Sequence, residues 1–585
     1  IRFILRLQTS TMSYRIISLS LGLLFSLSLS AQSTDVAALI KKYQDDPRGP
    51  YRDIAWFCKD GSVVASVNGG CETPDERNFQ HARYKDEVIK LGKTDHIFLG
   101  QILTNTNQAD FLDRDEDFSR LKQYQLGNYL AAIDDGWVNR KGQFYRGAFQ
   151  VEDEMRWGRE FLNSLMEQEA LVRENFYLIR QATKDIPHRK DDDLTQKIRN
   201  DSRTIADKYP KFMATRIKIH GQPEGKDAIT VDAFAKEHSA ELEERQLTQL
   251  IKTLSADIRT AYVDRDYIAD IVEINKTVPE KNTLKDHVAR FARQQARTDN
   301  DEHNTISRLT AAAELMLEIR ENIFAETPYY RLEMLDISLA LENLIFSTAG
   351  AWEPATTREL NEKICYLATA AAGAGFVEEW EFAEAAPLLG DLNYRYLLPE
   401  AVDAHLDNAR RFVEWGTSTN RATYAEVVEK YAAFEPKAYG FLDDRIRGSV
   451  LLPLGNAVGE LGNWVAANGN LNNAVMDVPN QGQIRGLNPG YASGILHVIE
   501  GNPDEPEVNP KDIFVFATPP AELKPVGGIM TVSEGNMVSH VQLLARNLGI
   551  PNAVITDEQF DRLRKYDGQR VFFAVSNGGT AIMKT

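Results

Sequence analysis

The chain has 585 residues, 43% of them hydrophobic and 26% charged, which is enough apolar material for packed cores and unlike a disordered chain. Its 67 Lys and Arg against 85 Asp and Glu give a net charge of −18 with no clustered basic stripe, which argues against a nucleic-acid binder. Three cysteines without a Cys-x-x-Cys pair exclude a disulfide scaffold and a zinc ribbon.

Residue 1 is Ile, and the first Met is Met12. From there Arg15 precedes a mostly apolar run, Ile16 to Leu29, closed by the small residues Ser28, Ser30 and Ala31. This is the charged, apolar and small-residue order of a secretory signal peptide. A membrane anchor is the competing reading, but a stretch this short, diluted by serines, falls below the roughly 20 apolar residues that span a bilayer. Residues 1–31 are therefore read as leader plus signal peptide, and the chain as exported, with no membrane attachment after cleavage.

Residues 32–150 read as a mixed α/β region. Within it Cys58 and Cys71 flank a segment with turn chemistry at Asp60-Gly61 and Asn68-Gly69-Gly70. Two readings stay open, a loop closed by a disulfide or two buried free thiols; closure would add about 3 kcal/mol in the loop-entropy model. The acidic run Asp113-Arg-Asp115-Glu-Asp117 imitates the start of an EF-hand, but Phe118 stands where the loop needs Gly. It reads as a hydrated loop.

From 151 to 470, apolar residues recur at spacings of three and four, as with Phe161, Leu162, Leu165 and Met166, or Leu309, Ala313 and Leu317. One or two helical domains are expected, with Cys365 as a small core residue. Gly221-Gln-Pro-Glu-Gly225-Lys226 misses the P-loop spacing, and the histidines of this region lack metal-ligand spacing, so no metal site is predicted.

Residues 471–494, rich in Gly, Pro and Asn, read as a linker. Strand-like runs follow at 495–499, 513–516, 528–532, 553–555 and 570–575, with one helix from about Val538 to Leu548. A small C-terminal α/β domain over 495–585 is expected. In it a glycine-containing turn, Ser533-Glu-Gly535, feeds the helix that starts near Ser539-His540. Backbone N–H groups and the positive end of a helix, with Arg546 farther on, favour an anion beside an imidazole that is largely neutral and nucleophilic at pH 7.

The order Gly535, Ser539-His540, Ala545-Arg546, Gly549-Ile550-Pro551 resembles the swivelling phosphohistidine domain of the PEP-utilising enzymes: PEP synthase, pyruvate phosphate dikinase and the glucan, water dikinases. Ser-His-Val followed by Ala-Arg-Asn is most similar to the last branch. Asn536 replaces the family's second glycine, and Asn tolerates a left-handed backbone. The segment Asp512 to Pro520, with Thr518, is similar to the strand and Thr-Pro pair ahead of the active turn, and Asp567 to Val571 with Gly578-Gly579 to the closing strands.

The resemblance implies that His540 carries a phosphoryl group, with Thr518, Gly535, Ser539 and Arg546 supporting the phosphate and the turn. It implies ATP or PEP as donor, with Mg²⁺ and ATP held by a nucleotide-binding domain outside this sequence. In the complete protein that domain is expected to follow Thr585. The phosphoryl acceptor is not legible. The competing expectation is an exported helical binding or scaffold protein whose C-terminal module does not turn over.

Overall fold

The computed structural model describes residues 36–585, except 66–69, 72–76, 135–136, 140–149, 190–192, 222–224, 264, 280–281, 296–301, 391–398, 469–472, 501–508, 518–524, 533–544, 546–548 and 577. The signal-peptide reading lies outside the described residues. No described helix is long and apolar enough to cross a membrane. The chain is mostly helical, and a curled sheet forms from its C-terminal strands. Two compact units interleave in sequence, so the stretch 151–470 is shared between them instead of following 32–150 as a separate block.

The first unit comprises residues up to 165 together with 182–266 and 424–441. Its sheet has the order β2-β1-β3, with β1 (Tyr51–Cys58) central and antiparallel to both β2 (Val63–Ala65) and β3 (Arg77–Tyr84). The turn lies at Asp60-Gly61, where the Asp60 carboxylate accepts from Ser62 N at 2.9 Å and Gly61 N donates to Cys58 O at 3.0 Å. Cys58 and Cys71 are disulfide-bonded with Cα atoms 5.8 Å apart, which settles the open choice in favour of the closed loop.

In the same unit, helices Asp193–Lys208 and Lys226–Glu237 pack on helix Thr248–Tyr262. Ile251, Leu254, Ile258 and Ala261 are buried at spacings of three and four, so one stripe of that helix meets both neighbours. The buried Gln123 amide is fully used: Nε2 donates to His96 O and Ser119 Oγ, and Oε1 accepts from Phe98 N and the Tyr431 hydroxyl. A buried amide satisfied in this way fixes one arrangement of the chain segments around it.

The second unit takes residues 166–181, 267–423 and 442–585. Helix Glu302–Asn322 packs against Pro328–Ala351 and Thr357–Gly373, and the last of these also meets Leu451–Asn468. The contact with Thr357–Gly373 is close because that helix ends in small residues. A Cβ on Gly373 would sit 2.7 Å from Leu317 N, so backbone lies against backbone there. Arg320 closes the same helix end, its Nη1 donating to Ala372 O and Val377 O at 2.5 and 2.6 Å.

The sheet of this unit has eight strands: β4 (Ala474–Val475), β5 (Arg485–Asn488), β6 (Gly490–Ile499), β7 (Ile513–Phe516), β8 (Gly528–Thr531), β9 (Asn552–Val554), β10 (Arg570–Val575) and β11 (Ala581–Lys584). Their order is β4-β11-β10-β6-β7-β8-β9-β5. Strands β6 to β9 run parallel; β10 and β11 are antiparallel additions, β4 is parallel to β11, and β5 is antiparallel to β9. The expectation of a linker over 471–494 is corrected, because β4, β5 and the start of β6 lie inside it.

The sheet curls until its ends approach: Gly486 N donates to Gly579 O at 2.8 Å, and the Asn473 side chain joins Ile484 O to Ala581 N at 2.8 Å each. The inner face holds Leu496, Val515, Met530, Phe573 and Met583 with Phe560 and Leu563 of helix Asp557–Leu563. On the opposite face of the parallel strands, Phe514, Phe516 and Ile529 pack with Ala545 and Ile550. Sequence texture follows from this. All four residues of IFVF are buried because both faces of β7 are covered, whereas RVFFAV alternates because one face of β10 meets water.

Candidate functional site

Parallel pairing places the carboxyl ends of β6, β7, β8 and β9 at one end of the sheet. In open α/β sheets that end is where ligands bind, because loops leaving adjacent strands converge there. The candidate residues follow directly from it. Thr518 comes two residues after the end of β7, and Ser533-Glu-Gly535 opens two residues after Thr531, the last of β8. Thr518, Gly535, Ser539, His540 and Arg546 themselves lie outside the described residues, as does all of the expected helix but Ala545.

What frames that segment is described on both sides. Ahead of it, Thr531 shares a face with Ile529, since strand residues alternate, and so points to the side where Ala545 and Ile550 pack. It is 1% exposed, and its hydroxyl has no hydrogen-bond partner among the described residues. A buried hydroxyl in that condition costs about 1–3 kcal/mol unless a partner supplies the missing bond.

Behind the segment, Gly549 adopts φ 65, a left-handed backbone that glycine takes without strain. Ile550 N donates to Ala545 O at 2.9 Å. With Ala545 helical, this six-to-one bond past a left-handed glycine is the geometry of a helix C-terminus, and Pro551 prevents continuation. The buried Asn488 of β5 clamps this end, its Nδ2 donating to Ala545 O at 3.1 Å and to Ile550 O at 2.7 Å. Asn488→Ala is expected to cost the module about 1–3 kcal/mol and to raise hydrogen exchange at the Ile550 amide. Unchanged protection of that amide would show that the clamp holds nothing.

One pair near this face escaped sequence reasoning. His497 of β6 stacks on Phe514 with ring centroids 4.7 Å apart, and its Nε2 lies 3.1 Å from Asp512 Oδ2. The other Asp512 oxygen accepts from Ile495 N at 3.0 Å, and these contacts, the backbone N–H foremost, hold its carboxyl below the usual range. His497 stands on β6 and Asp512 immediately precedes β7, so the pair forms through the register of those parallel strands, which nothing in the sequence gives.

Elsewhere the side chains with chemical potential are used for packing. Cys365 is half-buried, its thiol donates to Leu389 O at 3.6 Å, and burial pushes it up to about 11, so it stays a neutral thiol. His188 and His405 each place Nδ1 against a backbone carbonyl, Ile186 O and Leu388 O. Among the described residues no group of three or more His, Cys, Asp or Glu is placed to hold a metal ion. Comparison of the chain with protein-family models, with curated proteins and with solved structures finds no match.

Proposed function

We propose that the C-terminal module carries a phosphoryl group on His540 as part of a phosphotransferase. The reading rests on one observation, the ordered pattern Gly535, Ser539-His540, Ala545-Arg546, Gly549-Ile550-Pro551. It is supported by where that pattern is attached: it leaves the carboxyl end of β8 among parallel strands and returns through a glycine-terminated helix end packed on the sheet. An imidazole nitrogen of His540 forms the N–P bond as the donor's bridging P–O bond breaks, the electron pair leaving on the donor oxygen. An acceptor oxygen then displaces the imidazole from phosphorus. Splitting the transfer in two lets donor and acceptor occupy separate sites. ATP or PEP is the donor class, and a nucleotide-binding domain is the expected partner.

The full-length protein incubated with labelled ATP or PEP and Mg²⁺ is expected to take up acid-labile, base-stable label, and His540→Ala to take up none. Absence of label, or equal labelling of the variant, overturns the reading. A second reading, an exported binding protein with a module that does not turn over, is favoured by the Cys58–Cys71 bridge, since disulfides persist in oxidising compartments. The same labelling experiment separates the two.

A further inference from the structure

The first unit contains a cavity of about 630 Å³ between the β1–β3 sheet, helix Asp86–Thr94 and the segment 96–120. That volume matches a small-molecule site. Phe57, Val88, Ile89 and Phe98 give it apolar walls, and four cationic residues line it: Arg52, Arg83, Lys93 and Arg120.

Among the described residues the cations keep unspent donors. Arg83 binds Asp53 through Nε and Nη2 at 2.6 and 2.5 Å, leaving Nη1 without a hydrogen-bond partner among the described residues. Arg120 pairs with Asp110 through Nη1 and reaches Gln101 Oε1 from Nε at 3.4 Å, leaving Nη2 in the same state. The Phe98 ring lies 4.7 Å from the Arg120 guanidinium and fixes its plane. Arg52 stands 3.9 Å from each of its carboxylate neighbours, Asp53 and Asp86, and Lys93 makes no ion pair among the described residues.

Three acidic residues also line the cavity, Asp110, Asp113 and Glu116, so the sign of its interior depends on which charges face water. The Arg120 side chain is 17% exposed against 44% for its partner Asp110. Glu116 is 47% exposed and sits 3.5 Å from His96. Water screens Asp110 more than Arg120, and Asp53, at 40%, slightly more than Arg83, at 35%, so in both pairs the less hydrated charge is the guanidinium. A guanidinium with unspent donors in a partly desolvated pocket selects a carboxylate or phosphate, and the walls select an apolar body.

We propose that this cavity binds a small amphipathic anion, a carboxylate or phosphate head on an aromatic or aliphatic body, gripped by Arg83 and Arg120. The site is separate from the His540 module and stands whether or not that module transfers phosphoryl groups.

Titration calorimetry of the full chain with 4-phenylbutyrate, phenyl phosphate and the neutral 4-phenylbutanol tests it. One anion or both is expected to bind at a single site, about tenfold or more tighter than the alcohol, and the two heads identify the preferred anion. Arg120→Gln and Arg83→Gln are each expected to weaken anion binding by about tenfold or more while leaving alcohol binding unchanged. Ile89→Glu alters a residue that is 42% exposed, so the fold tolerates it, and it adds a repelling charge at the wall. It is expected to abolish anion binding with an unchanged melting curve. Equal affinity for acid and alcohol, no saturable binding of either anion, or wild-type affinity in Ile89→Glu overturns the proposal.

Discussion

Replacing Arg180 with alanine is expected to destabilise the second unit by about 3–5 kcal/mol, the largest single-residue effect predicted for this chain. The Arg180 side chain is fully buried in helix Phe176–Asp185 and faces helix Pro328–Ala351. Nε donates to Ser338 Oγ at 3.1 Å, Nη2 to Ser338 O at 3.0 Å and Nη1 to Glu342 Oε2 at 2.7 Å. Glu342 is itself 7% exposed in its side chain, and its other oxygen accepts from Val450 N at 3.4 Å.

Removing the guanidinium strands a carboxylate away from water, and that desolvation, not the loss of a favourable pair, sets the size of the effect. Two variants separate these contributions. Arg180→Lys is not expected to rescue, because an ammonium lacks the fork that meets Ser338 and Glu342 together. The double change Arg180→Met with Glu342→Leu removes both charges and is expected to recover most of the stability. Urea denaturation reads all three, and an Arg180→Ala midpoint within about 1 kcal/mol of wild type would contradict the account.

The second large effect is on acid stability. His81 of β3 is 2% exposed, lies opposite Ala55 and stacks on Phe57 with centroids 3.8 Å apart. Burial lowers its pKa from 6.5 to about 4. Its Nδ1 is 2.9 Å from Ala82 O, and since a carbonyl only accepts, the neutral ring carries its proton there. The unfolded chain takes up a proton near pH 6.5 and the folded chain near pH 4, so within that window the unfolded state binds more protons and stability falls as the pH falls. The full difference is about 3 kcal/mol and is reached below pH 4. His81→Phe keeps the stacked ring and removes the titration. Its denaturation midpoint is expected to decline less than the wild-type midpoint between pH 7 and pH 4, and parallel curves would rule His81 out as the acid-sensitive group.

How far the fold was legible differs from one segment to the next. The runs at 495–499, 513–516, 528–532, 553–555 and 570–575 each fall on a strand of the C-terminal sheet, though β6 begins five residues earlier than its run and β9 one earlier; buried strands need continuous or alternating apolar residues. β4 and β5 escaped because Ala-Val and Arg-Gly-Leu-Asn carry no such pattern. They are strands by virtue of the edges they complete, β4 on β11 and β5 on β9. Helix Asp557–Leu563 was missed although Thr556 and Gln559 form a capping box whose spacing is written in the sequence.

In the helical region, Pro399–Ala432 is one continuous helix of 34 residues. Helices Ser239–Glu244 and Thr248–Tyr262 are separate, although apolar periodicity runs across both, because Gln246 takes φ 56 and Leu247 N turns back to Leu242 O. A left-handed glutamine has no compositional signature. The His540 pattern was legible because it is local, sixteen or so residues in fixed order, whereas Thr531, Asn488 and the His497–Asp512 pair owe their places to strand register. The cavity was invisible for the same reason at longer range: Arg83 and Arg120 come to line one cavity only through the packing of β3 and the segment beyond helix Asp86–Thr94.

Strands β4 and β11 are hydrogen-bonded neighbours, Ile582 beside Ala474, although more than a hundred residues separate them. The backbone therefore enters and leaves the curled sheet through one edge. A segment tethered in this way can be lifted out and grafted between two adjacent points of an unrelated carrier without stretching either connection. Rejoining the chain across that edge and opening it at the Asp567-Gly568 turn would give a permuted module with every internal strand pairing retained.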